Sequence, residues 1–131
     1  MTILLRPAFL AALALTLAGG LVMSGRAAAC TPELIDAALG EADGQLGYAI
    51  NAASLDAARA HLRRVAFTMA EAEVQMITCG CPNAPQEAAA TATEARRAAA
   101  ALEFDQLEVA VEATVGRFQR TLMAMEYDIC R

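Results

Sequence analysis

The chain has no lysine and no tryptophan, and only one histidine, His61, among its 131 residues. Its ten basic residues are all arginines, set singly or in pairs, against fifteen acidic ones. Nucleic acid is therefore not an expected partner, because neutralising phosphates takes clustered positive charge. There is no Gly-x-Ser-x-Gly, no His-Glu-x-x-His and no glycine-rich phosphate loop, and with a single histidine no enzymatic activity is expected. Strands are missing too. No segment alternates apolar and polar residues with the β-branched and aromatic content of a sheet, and aromatics make up only 5% of the chain.

Long apolar runs are also absent, with one exception at the start. Arg6 supplies a short positive region, Pro7 to Val22 is almost unbroken apolar sequence, and Ala27 to Ala29 place small residues at a cleavage site. The run falls short of the roughly 20 residues needed to span a bilayer and contains Gly19 and Gly20. Residues 1–29 are thus expected to be a secretory signal peptide, residues 30–131 a single helical domain, and the location periplasmic or secreted. Cys30 would then be the first mature residue, where a bacterial lipoprotein carries its lipid. The residue three before it is Ala27, where such signals favour a larger aliphatic side chain, so lipid anchoring through Cys30 stands as the alternative and is the only route to a membrane. Removing Arg6 and Arg26 leaves eight basic against fifteen acidic residues, a net charge of −7.

The mature part reads as helix almost throughout. Thr31, Pro32 and Glu33 form a helix start, followed by Ile35, Leu39, Ala42, Leu46 and Ile50 at helical spacing. Gly40, Gly44 and Gly47 each cost about 1 kcal/mol against alanine, which allows a break in this stretch. From Leu55 the stripe runs through Ala58, Leu62, Val65, Met69, Ala72, Met76 and Cys79. Gly80, Pro82 and Pro85 then stop the helix, and Asn83 with Gln86 can cap the next. The alanine-rich segment 87–102 has no face assignable from pattern. Beyond it Phe104, Leu107, Val111, Val115, Phe118, Leu122, Met125 and Ile129 form another stripe, and Asp105 with Glu108 has the pattern of a capping box at a fourth helix start.

The four cysteines give the arrangement its frame. Cys30 to Cys79 is 49 positions, and so is Cys81 to Cys130. If each half is an αα-hairpin turning near Ser54 or Asp105, its two cysteines meet and all four sulfurs gather at one end of an antiparallel helical bundle. If each half is instead one helix of about 70 Å, the molecule is a long two-helix hairpin that dimerises, with Cys30 near Cys130 and Cys79 beside Cys81. The all-α bundle of two αα-hairpins stapled by disulfides is the expected fold, because about 100 residues divide naturally into four helices.

What remains is the chemistry of Cys79-Gly80-Cys81. An even number of cysteines in an exported chain favours oxidation, so Cys30, Cys79, Cys81 and Cys130 are expected in structural disulfides. Thiol–disulfide exchange or metal handling by Cys79 and Cys81 is the alternative, although exchange usually employs Cys-x-x-Cys in a βαβ setting and a helix C-terminus disfavours a thiolate. A methionine set for copper(I) would draw on Met69, Met76, Met123 and Met125, two of which lie on the core stripe. His61 could in principle ligate haem, yet no Cys-x-x-Cys-His accompanies it. The arginines beside it, and Arg96 and Arg97, read as solvated partners of Glu71, Glu73 and Glu94. No cofactor and no metal are expected. The chain reads as an exported binding or structural module with a protein partner or a second copy of itself.

Overall fold

The computed structural model describes residues 29–130, so the expected signal segment lies outside the described residues apart from Ala29. Four helices follow one another: α1 (Pro32–Ile50), α2 (Leu55–Thr78), α3 (Ala84–Ala99) and α4 (Phe104–Tyr127). There is no strand among the described residues. The turns fall at residues 51–54 and 100–103, which makes each half an αα-hairpin and rules out the long two-helix alternative.

Helix α1 runs unbroken through its three glycines. A Cβ built at Gly40, Gly44 or Gly47 would meet no atom within 4 Å, so the glycines serve no close packing. The helix survives because Ile35, Leu39, Ala42, Leu46 and Ala49 are all buried against the rest of the fold, and tertiary burial outweighs weak propensity. Ile50, expected to continue that stripe, is 59% exposed, with Ala49 buried in its place. The α2 stripe is buried from Ala58 to Cys79. Ser54 caps α2 by accepting from the Ala57 N–H at 3.1 Å.

Helix α3 buries a nearly pure alanine face, with Ala84, Ala88, Ala92, Ala95 and Ala98 at most 1% exposed. Opposite lies α2 with its bulky Leu62, Val65, Met69 and Met76, all fully buried. Small side chains on one helix make room for large ones on the other, which is how this core fills its volume. Between α3 and α4 the hydroxyls of Thr91 and Thr121 hydrogen-bond at 3.0 Å, and each also donates to, or lies within reach of, a carbonyl one turn back in its own helix, Glu87 O or Arg117 O.

Helix α4 is capped two residues before the expected cap at Asp105. Its N-cap is Glu103, the Asp105–Glu108 box does not form, and Gln106 Oε1 instead accepts from the Leu102 N–H at 3.3 Å. Its buried face is also rotated from the expected stripe. Leu107, Val111, Thr114, Phe118 and Thr121 are buried, whereas Phe104, Leu122 and Ile129 are 55%, 40% and 78% exposed.

Packing is serial: α1 on α2, α2 on α3, and α3 on α4. No comparable α1–α4 contact closes the ring. The bundle is an open array with α2 and α3 in the middle, and that openness positions the candidate site.

Candidate functional site

The two ends of the array differ. At one end the cystines gather. Cys30 is bonded to Cys79 and Cys81 to Cys130, with Cα–Cα distances of 4.6 and 4.2 Å, and no described cysteine is free. Between the pairs, Gly80 adopts φ 70°, the left-handed region that favours glycine. The Cys81 N–H donates to Met76 O at 3.0 Å and the Gly80 N–H to Ile77 O at 2.9 Å, a Schellman turn that ends α2. The tight turn turns Cys79 toward the first hairpin and Cys81 toward the second, so the Cys-Gly-Cys is a structural corner in this state. Cys79 is fully buried and Cys81 is 6% exposed, so an attacking thiolate would have to approach through their partners, the exposed Cys30 and the half-buried Cys130.

Asp128 lies next to the second cystine and was not singled out by any motif. Its carboxylate accepts from the Asn83 N–H at 2.9 Å, the Asn83 Nδ2 at 2.9 Å and the Ala84 N–H at 2.6 Å. Asn83, expected to cap α3 with its own side chain, makes no such bond. The cap arrives instead from the far end of α4, placing a carboxylate on the positive end of a helix dipole. Partial burial by itself raises the Asp128 pKa, and the hydrogen bonds from Ala84, the Asn83 side chain and the Asn83 backbone together outweigh it and hold the carboxyl below its ordinary value. Cys81, Asp128 and Cys130 place three ligand atoms within 4.8 Å of one another. With both sulfurs in one cystine and the carboxylate engaged by three donors, this cluster has no lone pairs arranged for a metal.

The other candidates disperse. His61 faces Gln45, with Nδ1 2.7 Å from its Oε1, and stacks at 5.4 Å on Tyr48. Met69 and Met76 are sealed in the core while Met123 is 51% exposed, so the four methionines do not form one site. The arginine pairings differ from expectation. Arg97 meets Glu94 at 3.1 Å, but Arg64 pairs with Glu41 on α1 at 3.3 Å, and neither Glu71 nor Glu73 forms an ion pair among the described residues. Arg59 donates to Ala99 O at 3.0 Å and so satisfies a carbonyl at the end of α3.

At the end away from the cystines, α1 and α4 leave a groove of about 540 Å³ between them. Its apolar floor comes from Ala49, Ile50 and Ala52 on one side and Phe104, Leu107, Val111 and Val115 on the other. The α4 apolar stripe is wider than the face it buries, and the surplus opens here. Glu108, Glu112 and Gln119 are the polar residues of the wall, and no basic residue lines it. Gly116 sits in the same wall, with nothing within 4 Å of where its Cβ would be. A concave apolar surface of this volume with a few polar groups on one side is the common form of a binding site. Pattern reading put Phe104 in the core and read Val115, which packs on the core edge, as wholly interior, which is why it missed the groove. No described helix is long and apolar enough to cross a membrane.

No protein-family model, curated protein or solved structure matches this chain.

Proposed function

We propose that this chain is an exported, non-catalytic binding module, a pair of αα-hairpins locked at one end by two cystines and presenting the α1–α4 groove at the other. The groove is the observation that carries the reading. A four-helix array that leaves one pair of helices apart and exposes Ile50 and Phe104 at that gap retains apolar surface in excess of what its own core needs. The cystines supply rigidity, so that little conformational entropy is lost when a partner docks. Pairing of Cys79 and Cys81 with Cys30 and Cys130, each closing one hairpin, and not with each other supports structural over exchanging cystines. The signal-like residues 1–29 together with the paired cysteines support a periplasmic or extracellular location.

The test is a photo-crosslinking residue placed at Val115, in the groove wall, with Val109, 69% exposed elsewhere on α4, as the control. In the chain's own cells, position 115 is expected to give an adduct in the envelope or culture fraction that position 109 does not give. Equal labelling from both positions, or a cytoplasmic protein with reduced cysteines, overturns the reading.

A further inference from the structure

The occupant of this groove can be narrowed, on the footing that the groove is the binding site proposed above. We infer that it receives a cationic amphipathic α-helix of a protein partner.

Shape comes first. The α4 wall runs from Phe104 to Gln119, about 22 Å at 1.5 Å per residue, or roughly four helical turns. Contact between α1 and α4 is at most marginal, so a helix laid along α4 would pack on its apolar strip and on the C-terminal end of α1. The floor residues Phe104, Leu107, Val111 and Val115 recur at steps of three and four, the spacing that a docking helix matches with its own.

Charge then selects the helix. Glu108 and Glu112 stand exposed on the α4 wall, one turn apart. On α1, Asp43 and Asp36 lie seven and fourteen residues before Ile50, so they continue its helix face as exposed carboxylates. Both charged residues of the groove wall itself are thus acidic, and no arginine lines it. A partner whose apolar stripe is flanked by Lys or Arg fits both features. A second copy of this chain does not, because its own α4 stripe is bordered by the same carboxylates and like charges across a contact are destabilising.

The experiment is a titration of the ¹⁵N-labelled protein, both cystines intact, with three synthetic helices of about 15 residues sharing one leucine pattern and carrying Lys, Gln or Glu elsewhere. The Leu/Lys peptide is expected to bind saturably with amide shifts centred on Ile50, Phe104, Val111 and Val115. The Leu/Gln peptide should bind about tenfold more weakly at low salt, as two to four exposed ion pairs imply, and the Leu/Glu peptide more weakly still. In the Glu108→Arg/Glu112→Arg variant, whose altered side chains are exposed and whose helicity is checked by circular dichroism, the preference for Lys should vanish. Equal or tighter binding of the Leu/Gln or Leu/Glu peptide overturns the inference and leaves the binding-module reading intact. So do groove shifts that appear on raising the protein concentration alone. Leu/Lys shifts spread over the whole acidic surface and unchanged in the double variant also overturn it. If none of the three peptides moves the groove resonances, the inference and the reading of the groove as a helix-binding site fall together.

Discussion

Consider the removal of each cystine in turn, as Cys30→Ala/Cys79→Ala and Cys81→Ala/Cys130→Ala. Alanine is the right replacement because Cys79 is fully buried and Cys81 nearly so, and serine would add an unpaired hydroxyl. Both cystines join residues 49 apart, and their loops do not overlap. In the chain-entropy treatment a loop of this length restricts the unfolded chain by about 4 kcal/mol at 25 °C. The two variants should therefore lose similar stability, about 2–4 kcal/mol each once the usual shortfall from that treatment is included. Non-overlapping loops make the losses roughly additive, so the variant lacking both should lose about 4–8 kcal/mol. A domain of this size has about 5–15 kcal/mol in total, and the cystine-free chain is expected to be marginal or unfolded. Urea unfolding followed by circular dichroism reads this directly. With a slope near 1 kcal/mol/M, each single-cystine variant should have a midpoint lowered by roughly 2–4 M, and the slope itself should rise as the unfolded chain expands. Losses below about 1 kcal/mol would refute the role of loop closure. A difference above about 2 kcal/mol between the two variants would refute its equality.

Three further outcomes follow from single contacts. Asp128→Ala removes the carboxylate that caps α3 and should lower stability by about 1 kcal/mol near neutral pH. Because the Asp128 pKa is lower folded than unfolded, its contribution is present above the unfolded value and is lost as pH falls through the folded one, so urea midpoints of the wild type and D128A should converge at acid pH. Gly40→Ala and Gly44→Ala, in helix with open space around each, should each add about 0.5–1 kcal/mol of stability and raise the thermal midpoint, whereas Gly80→Ala at φ 70° should cost at least about 1 kcal/mol and lower it. Met69→Ala should cost about 2–5 kcal/mol in urea unfolding as a buried cavity, while Met123→Ala, 51% exposed, should stay within about 0.5 kcal/mol of wild type.

Much of the frame was legible because it rests on strong local signals. The unbroken apolar steps from Leu55 to Cys79 and the Gly80 and Pro82 stop each suffice to place an element, while the two equal cysteine spacings allowed two pairings and only the turn at residues 100–103 decides between them. The α3–α4 turn was hard to see because it needs no special residue: among the described residues the only positive φ is at Gly80, so Ala100 to Glu103 turn the chain with ordinary backbone angles. The alanine face of α3 carries no contrast between inside and outside, and only its packing between α2 and α4 decides which alanines are buried. Asp128 was invisible for a different reason. A carboxylate that caps a helix 44 residues away leaves no pattern near either partner. The groove was hidden by an assumption that an apolar stripe is a core stripe. On α4 the stripe spans both a buried face and an open one, and only the lack of extensive α1 packing separates them.

A non-reducing peptide map of the protein taken from its own cells, with free thiols alkylated at lysis, tests most directly whether this is a locked module with its function at the open end. The account predicts a mature chain beginning at Cys30, links from Cys30 to Cys79 and from Cys81 to Cys130, and no alkylated cysteine. A substantial fraction with Cys79 and Cys81 free or joined to each other, or with Cys30 lipidated, would contradict it and return the Cys-Gly-Cys corner to the centre of the protein's chemistry.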